Sequence, residues 1–144
     1  MKKYLVSIAL FLTMLVFAQP LFAEGTCSVK NSKSIETNLL IGINSDNEGL
    51  RISSAYYLGE LKSEKAVIPL MRMLRQEKLE AARIMAALSL IKIENPQGLF
   101  LVKRTADFNE MERTRKMSGH FYNAYLVKKY LEQNPDNSDF LADL

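Results

Sequence analysis

Three shortages bound what this chain of 144 residues can be. It has one cysteine, which excludes a multi-disulfide scaffold. It has one histidine, too little material for a metal centre or an imidazole-based acid–base site. Gly 6 and Pro 4 exclude collagen-like and low-complexity chains. No stretch alternates apolar and polar residues with period two, so no sheet is expected. What remains is 48% hydrophobic and 24% charged, an ordinary globular balance that fits a single domain.

The opening MKKYLVSIALFLTMLVFAQPLFA reads as an address. Lys2 and Lys3 precede the apolar run Leu5 to Phe17, Pro20 breaks any helix, and Ala23 offers the small residue a signal peptidase requires. Residues 1–23 are therefore expected to be a cleaved signal peptide, with Ala18 as a second cleavage point. Tyr4 to Ala23 would also be long enough to remain as an uncleaved anchor. The residues Glu24, Gly25 and Thr26 before Cys27 do not suit lipidation. The expected location is periplasmic or secreted. Cys27 either stays single there or bridges to a second molecule.

Loss of residues 1–23 removes two of the 19 basic residues and none of the 16 acidic ones, leaving +1. Nucleic acid is not an expected partner for so balanced an exported domain. Charge is uneven, however. Leu99 to Tyr130 holds seven basic and three acidic residues, and Leu131 to Leu144 holds four acidic and no basic ones. The expected organisation is a leader at 24–33, a folded body at 34–132 and an acidic tail at 133–144.

A period of 32 residues runs through the body. LRISSA at Leu50, ARIMAA at Ala82 and TRKMSG at Thr114 superpose, with Arg51, Arg83 and Arg115 in register. A small residue follows four later (Ala55, Ala87, Gly119), and a large one three beyond that (Leu58, Leu90, Tyr122). Helically spaced apolar residues lie between: Ile35, Leu39, Ile43; Val67, Leu70, Met71, Leu74; Leu99, Val102, Ala106. Two helices per unit at such a period mark a helical repeat. Six helices are predicted, near 34–43, 47–61, 64–75, 78–93, 96–106 and 110–132. Asp46 is expected to cap the second, Ser63 with Glu64 to open the third, and Asn95-Pro96 to open the fifth. Pro69 falls inside the third.

The segment GLRISSAYYLGELKSEKAVIPLMRML resembles the short HEAT-like repeats also seen in phycobiliprotein lyases: Arg, Ala and Leu-Gly on one helix, then A-V-x-P-L-x-x-x-L on the next. The resemblance covers Ser34 to Lys129 and weakens at Gly119 and Tyr122, where Ala and Leu are usual. It implies an all-α fold, an α-solenoid of three HEAT-like hairpins that binds other proteins. Lyase activity is not implied, since those enzymes act in the cytoplasm on pigment proteins.

Helix phase places Ile52, Tyr56 and Gly59 opposite the packing stripe, with Ile84, Leu88 and Ile91, then Lys116, His120 and Asn123, as repeat equivalents. This row either lines a concave, apolar-to-basic partner groove or is buried by the shorter helices. Lys103, Arg104, Arg113, Arg115 and Lys116 form a basic cluster suited to anionic lipid, glycan or an acidic partner. Arg115, in the repeated Arg position, is equally suited to a carboxylate or helix end of its own fold. The site expected to bind a protein partner is thus Ile52, Tyr56, Leu88, Arg113, Arg115, Lys116 and His120.

No cofactor is expected, and no catalytic constellation is present. His120 has no second imidazole or thiol near it in sequence. Ser89-Leu-Ile-Lys92 fits S-x-x-K without its partner motifs. Asn44 to Gly49 resembles half an EF-hand loop, but its twelfth position is Ala55 rather than a bidentate Glu. The expectation is a non-catalytic exported binding or assembly module; a structural protein associated with the membrane surface of the envelope is the alternative.

Overall fold

The computed structural model describes residues 29–135, so the expectations about residues 1–23, Cys27 and most of the acidic tail lie outside the described residues. The described chain is all-α: α1 (Val29–Gly42), α2 (Glu48–Glu60), a 3-10 turn (Glu64–Ala66), α3 (Val67–Gln76), α4 (Glu80–Ile93), α5 (Pro96–Phe108) and α6 (Glu112–Gln133). This arrangement of six helices is compatible with a helical repeat. None of them is long and apolar enough to cross a membrane.

Local chemistry sets the boundaries. Helix α1 already includes residues 29–33, ahead of the expected start at 34, and that stretch contains neither Pro nor Gly to stop it. Asn47, not Asp46, caps α2: its Oδ1 accepts from the Leu50 amide at 2.9 Å. Ser63 does not cap its own helix but donates to Glu36 of α1 at 2.6 Å. Because the 3-10 turn takes up the first residues after Ser63, Pro69 is only the third residue of α3. Its missing amide is among those a helix start leaves free, so no kink is required. Asn95 caps α5 as expected, accepting from the amides of Gln97 at 2.9 Å and Gly98 at 3.5 Å, with Pro96 at the first position.

The second helices stack α2 on α4 and α4 on α6, while α3 and α5 pack against α4 from the side. Helix α4 is therefore central, as its nearly all-round apolar sequence AARIMAALSLIKI requires. The core gathers Leu58, Leu70, Leu74, Leu90 and Val102 around the small residues Ala55, Ala86 and Ala87. Helices α2 and α4 approach backbone to backbone at Gly59, where a Cβ would lie 2.8 Å from the Ser89 Cα. Only glycine lets two backbones meet so tightly. Ser89 secures the seam by donating its hydroxyl to the Ala55 carbonyl at 2.7 Å.

The repeated arginine has one job in all three places. Arg51 donates to the carbonyl of Ser45 at 2.9 Å, Arg83 to that of Glu77, and Arg115 to that of Asn109 at 3.3 Å. Each acceptor lies six residues upstream, in the loop before the arginine's own helix. A guanidinium there satisfies carbonyls that the turn or preceding helix end leaves open. Arg51 adds an ion pair to the Glu77 carboxylate at 2.9 Å.

Candidate functional site

Helices α2, α4 and α6 build a hollow of about 350 Å³ at their C-terminal halves. Leu88 and Ile91 of α4 and Phe121 and Tyr125 of α6 supply its apolar lining, and Gly59 of α2 leaves one wall low. Charged side chains from all three helices ring it. Lys92 pairs with Glu60 across one seam. Glu94 pairs with Lys129 at 2.8 Å and Lys128 at 3.4 Å across the next. The rim thus alternates sign while the floor is apolar and aromatic.

Electrostatics at the rim follow from those pairs. Glu60 is held below the ordinary carboxylate value by the hydrogen bond from Lys92 and then that from the Tyr56 hydroxyl. The same carboxylate pushes the Tyr56 phenol upward. Glu94 is held down chiefly by its bond from Lys129, whose own ammonium is raised by Glu94 and Glu132. The Lys92 ammonium also sits 4.5 Å from the Tyr56 ring centre, and Lys129 lies 5.9 Å from that of Tyr125. Each of these rim charges is therefore committed to a neighbour.

The seven residues expected to form one site fall in four places. Leu88 lies on the floor of the hollow, and Tyr56 stands at its edge through Lys92 and Glu60. Ile52 is half-buried and packs on the core. Arg113, Lys116 and His120 line a separate hollow of about 620 Å³ beside Glu80 and Glu112. Arg115 turns inward to the Asn109 carbonyl, so of its two sequence readings the fold uses the helix end. The row is neither a continuous groove nor a buried stripe.

The basic cluster also divides. Lys116 pairs with Glu112 at 2.7 Å, and the Glu80 carboxylate beside it accepts from the Thr114 amide at 2.9 Å. The second hollow is therefore of mixed charge. Lys103 and Arg104 line a different surface with Phe100 and Phe108 of α5. Sequence reasoning missed Phe121 and Tyr125 because it followed the register of His120 along α6.

No protein-family model, curated protein or solved structure matches this chain.

Proposed function

We propose that this protein is an exported α-solenoid of three HEAT-like hairpins that binds a protein partner through the hollow shared by α2, α4 and α6. The observation carrying the reading is the lining itself: an apolar, aromatic floor contributed by two helices, ringed by charges from three. Such a surface buries a large apolar side chain of a partner segment while the rim orients the flanking polar atoms. The recurrence of Arg51, Arg83 and Arg115 as loop latches supports the repeat reading, because one interaction is built three times at one spacing. The signal-like opening supports export.

A photo-crosslinking residue at Tyr125 tests the surface in the cell of origin. The expected outcome is a discrete crosslinked partner, lost when Leu88→Asp or Phe121→Asp is added and retained with Arg113→Glu. Variants that keep native circular dichroism and full crosslinking would refute the assignment. Mass spectrometry of the intact protein is expected to give a chain beginning at Glu24.

A further inference from the structure

Helix α5 turns Leu101, Val102 and Thr105 into the core. Phe100, at 66% exposure, faces away from that core, and Phe108, the last residue of the helix, is at 78% the barest large apolar side chain among the described residues. Lys103 and Arg104 stand between them, and Asp107 shares the same open surface. Neither cation has an ion-pair partner among the described residues, whereas Lys65, Lys92, Lys116, Lys128 and Lys129 all do. The pattern extends to α3, which packs beside α5. There Ile68, at 57% exposure, and Arg72 hold the positions 32 residues before Phe100 and Arg104.

We propose that this face docks on an anionic phospholipid surface. Large apolar side chains and unpaired cations share one outward face, and a bilayer interface offers both complements at once. The two phenylalanines lie about 12 Å apart along the helix axis, on the rounded outer side of a rod rather than in a cleft. A flat, deformable surface meets that shape better than a peptide does, because a peptide needs walls to bury its side chains. Phe100, Phe108 and Ile68 enter the acyl boundary, while Lys103, Arg104 and Arg72 face phosphates. None of these residues lines the hollow between α2, α4 and α6, so the two surfaces can succeed or fail separately.

Because the chain has no tryptophan, a single Phe108→Trp substitution makes a clean reporter in the full-length protein. The probe is a vesicle of equimolar phosphatidylglycerol and phosphatidylcholine, with pure phosphatidylcholine as control. The local readout matters because the apolar run Leu5 to Phe17 can itself partition into any bilayer. The expected result for Phe108→Trp is a blue-shifted indole emission with the anionic vesicles only, and no shift for Tyr125→Trp. Adding Lys103→Glu with Arg104→Glu is expected to weaken the response by on the order of 25-fold or more, since each interfacial cation contributes roughly fivefold. Positions 103, 104 and 108 are all exposed, so circular dichroism of these variants is expected to stay native. Three results overturn the proposal: no shift at position 108, an equal shift on neutral vesicles, or a response unchanged by the double charge reversal. A shift with a soluble polyglutamate peptide and none with anionic vesicles assigns the face to an acidic protein instead, and equally overturns it.

Discussion

Helices α4 and α6 hold the same place in the 32-residue register, yet six residues of α4 are buried and only two of α6. The difference lies in their neighbours. Helix α4 has α2 on one side, α6 on the other, and α3 and α5 against it. Helix α6 packs mainly on α4 and α5, and its Leu126 and Val127 are exposed. A repeat position thus specifies which way a side chain points, while the number of adjoining helices decides what that direction is worth. This explains why the third copy tolerates Gly119 and Tyr122, where the inner copies carry alanine and leucine.

The sharpest way to break the comparison is to truncate one register position in both helices. Leu90 is fully buried in α4, whereas its equivalent Tyr122 is half-buried at the core's edge. Leu90→Ala removes its packing and leaves a cavity, at an expected cost of about 2–5 kcal/mol in urea unfolding. Tyr122→Ala is expected to cost less than about half of that, because solvent and neighbouring side chains fill the space. Equal losses would mean that α6 is packed as tightly as α4.

Glycines sharpen the same contrast with opposite signs. A methyl group at Gly59 would meet the backbone of Ser89 at 2.8 Å, where little can yield. Gly59→Ala is therefore expected to destabilise by about 1–3 kcal/mol through overpacking. At Gly119 the nearest atom is the Ala106 Cβ at 3.8 Å, an ordinary contact. Gly119→Ala restores the residue of the inner copies and is expected to stabilise by about 0.5–1 kcal/mol, by relieving the entropy cost of a mid-helix glycine. Paired thermal melts are expected to shift in opposite directions.

Periodicity made the helices legible from sequence, since two apolar stripes per 32 residues leave few other ways to bury them. Asn95-Pro96 was legible for the same local reason: one side chain and one ring fix a helix start. Asp46 and Ser63 were not, because two polar residues in a row can each serve as a cap and tertiary demand chooses between them. Ser63 is drawn to Glu36, which is 27 residues distant. The site was legible only at Leu88 and Tyr56. Residues grouped by register were divided by loop latches and ion pairs, as when Arg115 is consumed by Asn109. No single-helix pattern encodes the Lys92–Glu60 or Lys129–Glu94 pairs, which exist only once helices stack.

The smallest expected effect separates the inner loop from the outer one. Glu77 serves two latches, its carboxylate holding Arg51 and its carbonyl accepting from Arg83, whereas the residue 32 positions later is Asn109, which has no charge to offer. Partial burial raises the Glu77 carboxyl, but the hydrogen bond from Arg51 and the amides of Lys78 and Leu79 outweigh it and leave the group below its ordinary value. A carboxylate depressed in the folded state stabilises it above the unfolded value, and that contribution fades as pH falls through the folded one. Unfolding free energies measured from pH 7 to about pH 2 are therefore expected to show Glu77→Gln less stable than the parent at neutrality, with the gap closing in acid. Asn109→Ala also removes a loop contact, the Asn109 Oδ1 that accepts from the Met111 amide, but its difference from the parent is expected to stay flat with pH. A Glu77→Gln difference that is equally flat would show that Arg51 is held by the Ser45 and Asp46 carbonyls alone.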